Sequence, residues 1–287
     1  MDILDYAFMQ RALIAAALVG ITAPAIGTYL VQRRQALMGD GLGHVAMTGV
    51  ALGFVLQASP VWMATLVAVV GAVGMELIRA RGRTSGDVAL AMLFYGGLAG
   101  GVMIINLGGG QTASLLGSMF GSITTVATED VTAMAVLAAF VLAVAVGLRR
   151  QLFAVCQDEE FARVTGLPVR ALNLLIAVTA AVTVTVAMRI VGLLLVSAML
   201  VIPVAAAQRL TRSFATTLGL AMAISVTVSL TGTAATYYIN VPSGATIVLL
   251  AIGVFMVLTA LSAPLARRRA KTAPTAEEVC TRDDVKV

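Results

Sequence analysis

The stretch SFATTLGLAMAISVTVSLTGTAATYYINVPSGATIVLLAIGVFMVLTALSAPLA, from Ser213 to Ala266, runs for 54 residues without one Asp, Glu, Lys or Arg. A helix crosses the hydrocarbon core with about 20 apolar residues, so this stretch alone is long enough for more than two crossings. Soluble domains carry about a quarter charged residues, spread along the chain. Here only 11% of the residues are charged, 60% are hydrophobic and 5% are aromatic. That balance excludes a soluble globular domain, a disordered chain and a disulfide scaffold. It reads as a polytopic membrane protein.

Helices and closed barrels are the two ways to pair every backbone group inside a bilayer. Barrel strands alternate apolar and polar residues over about ten positions. Leu174–Val186 and Ile190–Ala207 are instead almost continuous Ala, Val, Leu, Ile and Thr. The expected fold class is therefore all-α, a bundle of about nine spans, with eight or ten if a segment is reassigned. The spans are expected near Phe8–Val31, Gly41–Ala58, Val61–Ile78, Val88–Asn106, Val131–Leu148, Ala171–Met188, Ile190–Ala207, Ser213–Tyr237 and Ala245–Ala263. Leu107–Thr128, with Gly108 to Gly110, reads as an external loop or short re-entrant helix, and Met188–Arg189 as a tight turn. Residues 1–266 form one membrane domain, and residues 267–287 read as a basic, disordered tail. The acidic start, Met1 to Asp5, is a poor signal-peptide n-region, so the first run is expected to remain as a span.

The net charge of +5 could point to nucleic acid or to anionic lipid. Position decides. With nine spans and an external N-terminus, every basic residue except Arg11 and Arg189 falls on the side of the C-terminus. The positive-inside rule makes that side the cytoplasm. The basic excess is explained by topology and the lipid bilayer, with no nucleic acid. Cys156 and Cys280 lie far apart in polar segments and suggest neither a disulfide nor a metal cluster. Glycines four apart, at Gly39/Gly43, Gly49/Gly53, Gly96/Gly100, Gly97/Gly101 and Gly117/Gly121, are spaced for close helix packing in lipid.

Few polar groups remain to carry chemistry in the early spans. Glu76 precedes Arg79 by one turn, as an interfacial ion pair would. Asp87 opens a span, where capping or the helix dipole accounts for it. Asp40 and His44 are different, because their i, i+4 spacing puts carboxylate and imidazole on one helix face. With a helix beginning near Ala36, His44 lies about 12 Å deep, where ionisable groups are costly and usually functional. The pair suits zinc, manganese or iron. A buried Asp–His hydrogen bond that fixes two helices is the other reading. Further on, residues 157–168 have acids at the start, Phe161, Val164 and Leu167 at helical spacing, and Gly166-Leu-Pro168 at the end. They read as a short amphipathic cytoplasmic helix, either a solvated connector or a surface that docks a partner.

Several segments, in order along the chain, resemble the zinc/manganese/iron ABC-transporter permeases. They are Phe8-Met-x-Arg-Ala-Leu13, Gly27-Thr-Tyr-Leu-Val31, Arg33-Arg34, Gly39-Asp-x-x-x-His44 and Gly49-Val-Ala-Leu-Gly53. The series continues in Asp158-Glu-Glu-Phe-Ala162 with Gly166, in Val191-Gly-Leu-Leu-Leu195 with Ile202-Pro203 and Ala205 to Ala207, and in Pro242-Ser-Gly-Ala-Thr-Ile-Val248. The chain departs from that pattern at Gly43, where many members carry Ser, and at Thr48, near a position often occupied by Pro. The resemblance implies a multi-pass cell-membrane subunit that pairs with a second copy of itself. Cytoplasmic ATPase subunits and an extracytoplasmic metal-binding protein would be its partners. It implies Asp40 and His44 on the metal path. Asp158, Glu159, Glu160, Phe161, Val164, Gly166 and Pro168 would form the ATPase-coupling element, and Pro203 and Pro242 would shape helices. No phosphate-loop motif is present and the lysines, Lys271 and Lys286, are in the tail. The chain is thus expected to be a transport subunit rather than an enzyme. It would hold no permanent cofactor and would carry a divalent metal as cargo, zinc first. The rival readings are a permease for a chelate such as cobalamin or a siderophore, a proton-coupled metal carrier, and a membrane metalloenzyme. The single histidine argues against the last.

Overall fold

The computed structural model describes residues 6–81, 86–108, 126–239 and 241–271. Among these the regular structure is helical, with no strand. The helices are α1 (Ala7–Gln32), α2 (Met38–Val55), α3 (Pro60–Ala80), α4 (Gly86–Leu107) and α5 (Thr128–Leu142), which continues into a π turn at Ala143–Gly147. Next come α6 (Arg149–Gln157), α7 (Glu159–Val164), α8 (Val169–Val191), α9 (Leu193–Leu210), α10 (Phe214–Ile239) and α11 (Ser243–Lys271).

Eight of the described helices are long and apolar enough to cross a membrane: α1, α3, α4, α5 with its π turn, and α8 to α11. The ninth expected span is α2. It has the same 18 residues as α9, about 27 Å at 1.5 Å per residue, but Asp40, His44 and its glycines make it less apolar. The chain is a multi-pass membrane protein. Residues 109–125, and with them the Gly117/Gly121 pair and most of the segment expected as loop or re-entrant helix, lie outside the described residues. So do the Asp87 side chain and Cys280.

Two boundaries differ from the sequence reading. The turn expected at Met188–Arg189 is at Gly192, whose φ of 88° suits glycine and separates α8 from α9. The helix of the last span, expected to end near Ala263, continues to Lys271, since Ala, Arg and Lys are good helix formers and nothing in Arg267–Lys271 breaks the helix.

The bundle is built around α1 and α8, the most buried of the spanning helices. The helix α1 packs on α10, α9, α5 and α8, while α8 reaches α3, α2, α9 and α5. Small residues set the closest approaches. A Cβ on Gly49 would lie 2.5 Å from Ala64 Cα of α3, and one on Gly97 would lie 2.6 Å from Val45 N of α2. Gly96, one residue earlier, faces open space. Tyr29 is fully buried, and its hydroxyl donates to the Ala145 carbonyl in the π turn. Such a turn disturbs the regular i→i−4 ladder and leaves a carbonyl open to an outside donor.

Both ends of the bundle are marked by charge. At one end Glu159 of α7 meets Arg33, which follows α1, and Arg79 of α3. At the other, Arg189 near the end of α8 pairs with Asp130 of α5 at 3.3 Å. Two arginines far apart in the sequence thus meet on one carboxylate at the same end of the molecule.

Candidate functional site

The helix α2 is enclosed by α3 and α4 and backed by α8 and α9. Because α2 begins at Met38 rather than Ala36, His44 sits about 9 Å along it instead of 12 Å. Asp40 occupies the first turn, where the helix dipole favours a negative charge. His44 follows one turn later and is 5% exposed. Its Nε2 is 3.9 Å from Asp40 Oδ1, too far for a hydrogen bond. Its Nδ1 is buried with no hydrogen-bond partner. The Asp–His bond that the sequence left as an alternative is therefore not formed. Two donors on one first-row ion, each about 2.0–2.2 Å from it, can be at most about 4.4 Å apart, so the two side chains are within reach of a single cation. Among the described residues no third His, Cys, Asp or Glu gathers with them.

The surroundings of this pair were not legible in the sequence. Ser197 of α9 donates to Asp40 Oδ1 at 3.3 Å across 157 positions. Phe94 of α4 sets its ring edge-on to His44 at 4.4 Å between centroids. One turn beyond, Thr48 donates to the Gly97 carbonyl at 2.6 Å and pins α2 to α4. The departures at positions 43 and 48 acquire reasons here. A Cβ on Gly43 would come within 1.8 Å of Leu193 Cδ1, so Leu193 occupies the space that a serine there would need. Thr48 spends its hydroxyl on α4.

The second predicted element, residues 158–168, forms a shorter helix than expected, six residues with Asp158 as its N-cap. The Asp158 carboxylate accepts from the backbone N–H of Glu160 at 2.9 Å and of Phe161 at 3.0 Å, satisfying donors that the first turn leaves free. Gly166 takes φ 82° to end the turn, and Pro168 caps α8. Ala162 is buried, while Phe161 and Val164 stand 63% and 85% exposed. Two apolar side chains thus stand in the open on a short polar helix.

Glu159 does not share that outward face. Its Oε1 accepts from Arg79 Nη2 at 2.7 Å, Arg33 Nη2 at 3.1 Å and Asn173 Nδ2 at 3.2 Å. Arg79 also pairs with Glu76 at 2.9 Å. The Glu76–Arg79 pair expected from sequence is thus part of a four-charge node that ties α7 to α1, α3 and α8. Partial burial raises the Glu159 carboxyl, but the Arg79 hydrogen bond, the Arg79 and Arg33 charges and the Asn173 bond outweigh it and hold the group below the usual carboxylate range. Burial pushes the nearby Cys156 thiol up to about 12.

Residues 5–262 match the model of the ABC 3 transport family. A probable metal transport system membrane protein of Treponema pallidum is 32% identical over 260 residues, covering 90% of this chain and 97% of its own. The manganese transport system membrane protein MntC of Halalkalibacterium halodurans is 32% identical over 254 residues, 88% of this chain and 87% of its own. The solved structure of PsaBC from Streptococcus pneumoniae in complex with Fab is similar with a TM-score of 0.79 at 30% identity, covering 89% of this chain and 92% of that one. With the match spanning the whole bundle from α1 through most of α11, this chain belongs to the ABC 3 transport family.

Proposed function

We propose that the chain is the permease subunit of an ATP-driven importer for a divalent first-row transition metal, and that Asp40 and His44 bind the metal in transit. The observation that carries this is His44, a buried imidazole whose Nε2 is held 3.9 Å from an Asp40 carboxylate oxygen on a helix inside the bundle, within reach of one shared cation. Two side-chain donors suit cargo that must leave again, whereas a four-ligand cage would hold zinc as a structural ion. Imidazole with carboxylate accepts zinc, manganese and iron alike. We put zinc first among these, and the relative named for manganese sets that metal beside it.

Two copies of the chain would form the pathway, with separate ATPase subunits docked at Phe161 and Val164 and an extracytoplasmic binding protein delivering the metal. ATP binding and release would rock the helices between outward-open and inward-open states. The basic end of the bundle is the cytoplasmic one in this reading. The test is uptake of zinc, manganese and iron in cells lacking their own high-affinity importers, with and without the cognate ATPase. The expected result is ATPase-dependent uptake that Asp40→Asn or His44→Ala abolishes while the protein remains folded in the membrane. Wild-type uptake of all three metals by both variants would overturn the site.

A further inference from the structure

The cleft beside the charge node lies apart from the Asp40–His44 pair and from the outward face of Phe161 and Val164. It has a volume of about 570 Å³ and lies between the end of α3, α7 and the start of α8. Its charges do not cancel. Glu76 and Glu159 are both engaged by Arg33 and Arg79. Arg81, Arg163 and Arg170 also line it, exposed and without an ion pair or side-chain hydrogen bond among the described residues. Three uncompensated guanidinium groups on one concave wall call for an anion. Leu77, Ala171 and Leu174 supply an apolar wall on the adjoining spans. A free inorganic anion would have no use for that wall, but the upper part of an acyl chain would. A further group is unmet. Asn173 is 3% exposed, its Nδ2 donates to Glu159, and its Oδ1 is buried without a donor. That oxygen has no surface open to the cleft, so the ligand is chosen by the guanidinium groups and the apolar wall.

We propose that this cleft binds the glycerol-phosphate headgroup of an anionic phospholipid, phosphatidylglycerol or cardiolipin, with phosphate against Arg81, Arg163 and Arg170 and the start of an acyl chain along Leu77, Ala171 and Leu174. Basic pockets between membrane helices on the cytoplasmic side take such headgroups, and guanidinium binds phosphate oxygens through paired donors. The leaflet, though not the headgroup chemistry, rests on the orientation adopted under the proposed function. A lipid seated there touches α3, α7 and α8 together and braces the helix that carries Phe161 and Val164.

The test is lipid retention by the purified full chain, measured by native mass spectrometry with cardiolipin, phosphatidylglycerol, phosphatidylethanolamine and phosphatidylcholine offered in turn. Wild type is expected to keep one cardiolipin or phosphatidylglycerol and to release the other two. The triple variant Arg81→Gln, Arg163→Gln, Arg170→Gln is expected to lose about a hundredfold in affinity. Arg149→Gln with Arg150→Gln, which removes exposed arginines elsewhere, is expected to lose little. Equal retention of all four lipids by wild type, retention by the triple variant, or an equal loss in the Arg149/Arg150 control would each overturn the site. Full displacement by millimolar inorganic phosphate would make it a soluble-anion site and overturn the lipid assignment. The wild-type comparison stands even where the triple variant fails to fold. Metal uptake does not enter the readout, so a failed import reading shows as absent uptake with lipid retention intact.

Discussion

Glu159 Oε1 lies 2.7 Å from Arg79 Nη2, which joins the short helix α7 to the end of a span 80 positions earlier in the chain. Arg33, with a side chain 4% exposed, shares the same oxygen at 3.1 Å. The node ties α7 to α1 and α3, and α3 in turn packs closely, at Gly49 and Ala64, on α2, which carries Asp40 and His44.

Glu159→Gln leaves Arg33 with Glu76, 4.0 Å away, as its remaining anion. The expected cost is on the order of 2–3 kcal/mol, below the roughly 3–5 kcal/mol of a fully buried pair because Glu159 is a third exposed. Thermal unfolding in detergent measures it. The pH dependence has a definite sign. The folded carboxyl is held below its ordinary value of 4.5, so its contribution is complete above that pH and is lost as pH falls through the lower folded value. The gap in unfolding temperature between wild type and Glu159→Gln should be constant from neutral pH to about 5 and should close below 4.5. A gap that persists undiminished in acid contradicts the ionic assignment.

Ser197→Ala removes one neutral donor from Asp40 and keeps both proposed metal ligands. A hydrogen bond to a charged group contributes about 1.5 kcal/mol, so the apparent affinity for the transported metal should weaken about tenfold with the maximal rate little changed. Concentration-dependent uptake separates the two parameters. Loss of the maximal rate alone would mean that Ser197 serves packing instead.

Gly96→Ala and Gly97→Ala should differ although they are neighbours in one helix. At Gly97 the new Cβ would meet Val45 N at 2.6 Å and His44 C at 2.7 Å, and backbone cannot yield as a side-chain tip can. Overpacking of this kind costs about 1–3 kcal/mol and pushes His44 out of place, so both stability and uptake should fall. Gly96 has nothing within 4 Å of an added Cβ, and alanine there should raise helix stability by up to about 1 kcal/mol. Equal effects at both positions would mean that α2 and α4 pack differently.

Phe161→Ala and Val164→Ala should leave the unfolding temperature of the isolated chain unchanged, because both side chains already face outward. Co-purification of the ATPase subunit should drop severalfold, and residual uptake should no longer follow ATP hydrolysis. Undiminished co-purification would place the docking surface elsewhere.

Much of the molecule was legible in one dimension. Uncharged runs such as Ser213–Ala266 specify membrane helices because the bilayer leaves few options for backbone hydrogen bonds. The spacing of Asp40 and His44 puts them on one face, because a helix has a fixed repeat. Asp158 could be read as the start of a helix from its own chemistry. Each of these is a local constraint, written within a few turns of chain.

What the tertiary structure decided lies between distant segments. Glycines at the same spacing have opposite surroundings, with Gly97 against a backbone and Gly96 against none. Ser197 reaches Asp40 only because α9 crosses α2, and Glu159 turns inward only because Arg33 and Arg79 end beside it. Hydrophobic periodicity says that a helix face is buried but not which helix covers it. The scarcity of charge established the membrane and named the few residues available for chemistry. Packing decided which of them meet, because a contact between helices is fixed by the shapes of both surfaces and a single segment records only one.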